Sequence, residues 1–315
     1  MRSFTSDGPG RARSLLPIGG LLLVCLIWAV GWVRADFQPG ASSRWLLNPL
    51  IAQAALLGLF ALAASVAAVV RRPGWPARDV FWRATLIGAG LFVVPAVLAS
   101  IGKDRTGDGT RVALFSLTPL FAVIFEPYLG IDAGESVENR GGFLAAMTAI
   151  VGTFLVFPLD LPRSYGAAVV IFGVLFAAVS IAAANCAAVR VARQSASVLP
   201  FAILASGSAG VVLGIVGLAF RHHQTGGVPL DAWAVPSLFT FALLFWLMRR
   251  MNAVQMTTRF LIAPLMANLI SLALIRPHVD IQSWIGLVMI SGGSGWMVIA
   301  PVESRESNSI SLGTR

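Results

Sequence analysis

The stretch Leu117–Gly130, LTPLFAVIFEPYLG, is apolar from end to end except for the carboxylate of Glu126. Whether that carboxylate sits in water, in a protein core or in lipid depends on the chain around it. Of the 315 residues, 57% are hydrophobic and 12% charged, against about 45–50% and about 25% in soluble domains. Such a chain has too little polar surface to cover its apolar residues in water. A bilayer is its natural solvent.

Uncharged runs extend over 14–33, 45–70, 84–102, 141–159, 164–189, 194–220, 232–248 and 281–302. Most reach the ~20 residues needed to cross a hydrocarbon core about 30 Å thick at about 1.5 Å per residue. Two shorter runs, 112–125 and 260–275, are cut by Glu126 and Arg259. With one internal charge allowed in each, ten helical spans are expected. Barrel strands would instead alternate over about ten residues. The first apolar run, behind the basic GRAR, is longer than the roughly 7–15-residue core of a secretory signal, so it reads as a retained helix.

Orientation follows from Arg and Lys. With the N-terminus inside, fourteen of them fall on the inner side and eight on the outer, with Arg259 left within a span. The positive-inside rule then puts both termini in the cytoplasm of an inner or plasma membrane. Net charge +9 is thus a topological signal. Nucleic-acid binding would want a clustered basic face with interleaved aromatics, which this sequence lacks. Cys25 and Cys186 lie in separate spans, far apart in sequence, which argues against a disulfide framework.

Shifting residues 111–147 by 145 positions lays them on 256–292 without gaps, with Pro119 on Pro264 and Gly141 on Gly286. The order of features is shared: apolar helix, internal proline, polar loop, glycine at the next helix start. Ten helices at this offset divide into five plus five, residues 14–158 and 164–301, flanked by a cytoplasmic segment 1–13 and a cytoplasmic tail 302–315. An odd number per half inverts the second relative to the first, an arrangement common among secondary transporters. The expected fold class is an all-α polytopic membrane protein, ten transmembrane helices in two inverted five-helix repeats.

On these residues the chain resembles the EamA-type branch of the drug/metabolite transporter superfamily. The matching segments are WAVGW (Trp28–Trp32), SLTPLFAVIFEPYLGID followed by GG, and FLIAPLMANLISLALIRP followed by WIG. Asp132 takes the acidic place at the end of helix four, and Pro277 stands in the corresponding place of the second half. Where an Arg is often seen in the second helix, Gln53 is the nearest polar residue. The resemblance implies a central cavity formed mainly by helices one, three, four, six, eight and nine, with five and ten peripheral. It also implies small organic solutes, commonly amino acids or other metabolites, generally moving outward.

Glu126 and Arg259 interrupt the two repeat-related spans with opposite signs, at similar depth from the same side. Intramembrane charges usually face a partner or water, so one reading pairs them across the cytoplasmic mouth of the cavity, as a gate or as a carboxylate that releases a proton when the bundle opens. The plainer readings are a helix ending at the headgroups before Pro127 and an arginine that snorkels. Pro119 and Pro264, each removing a backbone donor within a span, are candidate hinges.

Asn48, Ser116, Thr118, Asn185, Asn252, Gln255, Thr258 and Asn268 are the polar groups in or near spans. Among them Ser116, Thr118, Gln255 and Asn268, on helices four and nine, are the candidate substrate ligands; the others read as helix–helix hydrogen bonds. Trp28, Trp32, Trp82 and Trp246 could stack on a ring of the solute or form an interfacial belt, and the belt is the preferred reading. Gly207, Gly210, Gly214 and Gly217 share one helix face, and SGGSG (Ser291–Gly295) is a second small-residue patch for close packing.

Enzyme motifs are lacking: no HExxH, phosphate loop or GxSxG. His222, His223 and His278 fall in external loops, so no metal site and no cofactor is expected. The function expected is therefore alternating-access export of a small organic solute, by a monomer or homodimer, with proton coupling left open. The alternative is a membrane-embedded enzyme, sensor or assembly subunit on the same bundle.

Overall fold

A computed structural model describes residues 10–36, 46–72, 78–101, 105–129, 140–160, 162–220, 228–229, 234–275 and 280–299. Asp132, Pro277, the three histidines and the chain ends 1–9 and 300–315 lie outside the described residues.

Lipid offers the backbone no hydrogen bonds, so each apolar stretch must satisfy its own, and each is helical. In chain order these are α1 (Gly10–Asp36), α2 (Pro49–Arg71), α3 (Arg78–Gly88) and α4 (Val94–Ser100), joined by a π-helical turn at Ala89–Val93, then α5 (Asp108–Phe115) and α6 (Thr118–Leu129). They continue with α7 (Arg140–Val156), α8 (Tyr165–Gln194), α9 (Leu199–Ala219), α10 (Ala234–Leu247), α11 (Ala253–Thr257), α12 (Arg259–Ile275) and α13 (Ile281–Ile299). Among the described residues, seven stretches are long and apolar enough to cross a membrane. At about 1.5 Å per residue, α8 alone runs about 45 Å. The only strands described are two residues each, β1 (Leu46–Leu47) antiparallel to β2 (Val228–Pro229), clasping the loops before α2 and α10.

Large apolar side chains point outward, as Leu62 and Val66 of α2, Phe172 and Phe176 of α8, and Val288 of α13 do. The inward face of α8 is built of small ones: Ala177, Ala178, Ala182, Ala188 and Ala192 are fully or almost fully buried, beside larger core residues such as Phe201 and Phe245. Lipid tails are as apolar as leucine, so apolar burial gives helices no reason to associate; close van der Waals packing does.

The closest approaches are made at glycines. A Cβ on Gly152 of α7 would stand 2.6 Å from the Gly286 carbonyl of α13, and one on Gly286 would meet the Gly152 carbonyl at the same distance. Gly293, in the SGGSG patch, meets Ala145 and Ala149 of α7 in the same way. The other glycine stripe packs within the chain too, with Gly207, Gly210, Gly214 and Gly217 of α9 lying against α2.

Helix partners follow a pattern. α2 packs on α9 and α7 on α13; α1 packs on α12, as α8 does on α6; α1 packs on α10, as α8 does on the α3–α4 span. These larger contacts therefore recur in matched pairs along the chain, while smaller ones such as α8 on α11 and α7 on α12 do not.

Three of these stretches are broken. A π-turn separates α3 from α4, α5 and α6 part at Ser116–Leu117, and α11 and α12 part at Thr258. Pro119 consequently opens α6 instead of kinking a continuous helix. A missing N–H costs nothing in a first turn, and Thr118 Oγ1 donates to the Phe115 carbonyl at 2.6 Å, the carbonyl that Pro119 cannot reach. Pro264 does lie inside α12.

Candidate functional site

The broken spans surround a cavity of about 810 Å³. Its wall takes residues from α1, α2, the α3–α4 span, α5, α8, α10 and α12. Beyond the helices expected to line it, Gln53 and Leu56 of α2 and Phe157, just past α7, also contribute. Along α12 the lining runs from Arg259 to Ser271, about 18 Å at helical rise.

The two ends of the cavity differ. At one end stand Asp108, 85% exposed, and Arg111, whose Nη1 lies 3.5 Å from Asp108 Oδ1. Arg111 is also steadied by Thr106, its Nε donating to Oγ1 at 3.2 Å and its Nη2 to the carbonyl at 3.1 Å. This is the mouth. At the other end Met248, Met251, Val254 and Met256 are buried with Ala122 of α6 and Cys186 and Val189 of α8 in one apolar cluster. Flexible thioethers fill irregular gaps well, and here they close the floor.

Arg259 lies on that floor, 5% exposed, and lines the cavity. The break at Thr258 puts it at the start of α12. Its Nη1 donates to the Met256 carbonyl at 2.8 Å and to Asn185 Oδ1 at 3.3 Å. Asn185 is itself held by Nδ2 donating to the Ile181 carbonyl at 2.8 Å. The guanidinium carbon stands 4.8 Å from the Phe260 ring centre and 5.8 Å from that of Trp28, distances at which aromatic faces stabilise a cation. Phe115 stacks on Phe260, centroids 6.2 Å apart, and extends the aromatic wall.

The expected pairing of Glu126 with Arg259 is not among the contacts of Arg259. Glu126 instead reaches the Cys186 thiol on α8, outside the cavity lining. Both cysteines are buried and unbridged.

The candidate substrate ligands divide. Asn268 lines the cavity, its Nδ2 donating to the Pro264 carbonyl at 3.1 Å. Ser116 and Thr118 do not line it; their hydroxyls donate to the Ala113 and Phe115 carbonyls, both at 2.6 Å, and finish the break in the fourth span. Gln255 completes a capping box with the N-cap Asn252: its backbone N–H donates to Asn252 Oδ1 at 2.7 Å, and its Oε1 accepts from the Asn252 N–H at 3.2 Å. Its Nε2 donates to the Val298 carbonyl at 3.1 Å and ties α11 to α13. Of the proposed hinges, Pro264 lines the cavity and Pro119 is buried outside its lining.

Trp28 and Trp32 both line the cavity, against the belt reading preferred for them from sequence. Apolar surroundings look the same for a ring facing lipid and one facing a cavity. Trp82, more than half exposed, does sit on the outer surface, edge-on to Phe81. Asn185 was visible as an in-span amide, but not as the partner of Arg259.

The fold has been seen before. One solved crystal structure, described only as that of a protein, superposes with a TM-score of 0.66 over 92% of this chain and 96% of its own length, at 14% identity. That likeness concerns fold alone. No family profile and no curated protein matches the chain.

Chemically, the site can accept a small solute from the mouth, offer it aromatic faces, and present N–H donors at the floor. Among the described residues, no cluster of three or more His, Cys, Asp or Glu is arranged to hold a metal.

Proposed function

We propose that this chain is a secondary transporter of the drug/metabolite type, moving a small organic solute out of the cytoplasm across an inner or plasma membrane. In this reading all ten spans cross the bilayer, as inverted repeats 14–158 and 164–301, and both termini are cytoplasmic. The observation that carries it is a solute-sized cavity inside a membrane bundle whose described lining is exposed and polar at one end and buried at the other. Ligand cavities commonly measure about 300–1,000 Å³.

The recurrence of the larger helix contacts in matched pairs supports the two-repeat reading. If the halves are equivalent, the arrangement that opens the mouth in one can open the floor in the other, and the two states differ little in energy. The breaks at Ser116–Leu117 and Thr258 supply backbone about which the spans can rock.

Charge supports the orientation. The N-terminus of α2 meets the C-terminus of α9 through Asn48 and Gly217, and Thr110 before the fourth span's centre meets Asp160 at 3.1 Å, so these ends share the mouth side. Helices α2, α8 and α10 then finish at the floor side, with Arg71 and Arg72, Arg190 and Arg193, and Arg249 and Arg250. Arginine-rich ends face the cytoplasm.

The test is efflux from proteoliposomes loaded with a mixed pool of amino acids and related metabolites, followed by mass spectrometry with and without a proton gradient. One or a few solutes should leave faster than from protein-free vesicles, in a saturable way. No such solute would favour an enzyme, sensor or assembly subunit.

A further inference from the structure

We propose that the cavity floor is an anion site, and that the solute is an organic monocarboxylate with an aromatic or similarly flat apolar body. The inference names a substrate class for the transporter proposed above and rests on that reading for the word substrate.

A buried cation needs acceptors, and Arg259 is short of them. The guanidinium has five N–H donors, of which two, both on Nη1, donate within the protein. Nε is buried with no hydrogen-bond partner. Among the described residues no carboxylate lies within ion-pair distance of Arg259. Leaving a charge so placed is costly unless something else completes it, and the side chain lines the cavity. An acceptor brought by the solute would complete it, and a planar carboxylate matches the fork of remaining donors.

The surroundings narrow the class. Trp28, Phe115 and Phe260 form the wall next to the guanidinium, a surface for a flat ring. One arginine supplies one positive charge, which suits a monoanion. An ammonium group has no matching place: the only carboxylate lining the cavity among the described residues is Asp108, at the mouth and engaged with Arg111. A zwitterionic amino acid would therefore fit worse than the corresponding simple acid.

Four probes of one shape separate these cases: 1-naphthaleneacetate, the neutral 1-naphthaleneethanol, the cationic 1-naphthaleneethylamine and the zwitterion 1-naphthylalanine. Equilibrium dialysis against the purified full chain in lipid nanodiscs should show the acetate binding about tenfold tighter than the alcohol, the increment of a charge-assisted hydrogen bond. The zwitterion should fall between them and the amine should bind weakest. Arg259→Gln should bring acetate and alcohol to equal affinity, while Arg259→Lys keeps part of the preference. The inference is overturned if the wild-type chain binds the alcohol as tightly as the acetate, if it binds none of the four, or if Arg259→Gln retains the preference. The wild-type comparison decides even should the variant fail to fold. Flux is scored separately in proteoliposomes: acetate preference without flux upholds the anion site and removes the transporter, whereas flux of other solutes without acetate preference does the reverse.

Discussion

Asn185 orders the guanidinium of Arg259 by taking one of its two internal hydrogen bonds, at 3.3 Å, across from α8 to α12. Replacing it with an isosteric apolar residue leaves a buried donor unmatched, which costs about 1–3 kcal/mol. Asn185→Leu should therefore lower the apparent melting temperature in detergent, and Asn185→Leu with Arg259→Met should recover part of the loss. Full additivity of the two would mean the contact carries no coupling. Gln255 offers the complementary case. Because Gln255 completes a capping box, Gln255→Ala should cost roughly 1 kcal/mol of stability yet leave naphthaleneacetate affinity unchanged; a lost affinity with unchanged melting would return it to the list of ligands. At this scale the sequence was half legible. Arg259 announced itself by breaking an apolar run, and Asn268 by its place on helix nine. Ser116, Thr118 and Gln255 looked the same on paper, but a helix break consumes nearby hydroxyls and amides, and pattern alone does not locate a break.

Helix pairs are where stability resides. The α7–α13 contact depends on Gly152 and Gly286 facing each other with no Cβ between them, each one's missing side chain occupying the other's carbonyl space. Overpacking such a contact costs about 1–3 kcal/mol. Gly152→Val should thus depress thermal stability by clearly more than Gly292→Val, since a Cβ at Gly292 meets nothing within 4 Å. Comparable losses would mean that the close approach is not what holds the pair. The small-residue patches of α9 and α13 were legible as packing faces, because small residues at helical spacing have few other uses in lipid. Which helix each would meet was not, and neither was the interruption of the third span by a π-turn. The fourth-span proline was misjudged for a related reason: Pro119 suits both a mid-helix kink and a first turn, and only the hydroxyl of Thr118 on the Phe115 carbonyl separates the two.

For the molecule as a whole, composition alone gave the solvent, and run length gave the helices; these follow from backbone satisfaction in lipid and leave little choice. The cavity's buried end was beyond the sequence, because it depends on how α6, α8 and α11 pack together around the methionines. In the proposed transporter the cavity is reached from one face at a time. Side-specific labelling with a membrane-impermeant maleimide tests it in a Cys25→Ala, Cys186→Ala background. Ser271→Cys reports the mouth side of the cavity, and Met251→Cys reports the buried floor. Ser271→Cys is expected to react quickly from the face opposite the termini, and Met251→Cys to react slowly and only from the termini's face, as the floor opens in turn. Labelling of both positions from the same face, or a Met251→Cys that never reacts in vesicles with measurable flux, would contradict it.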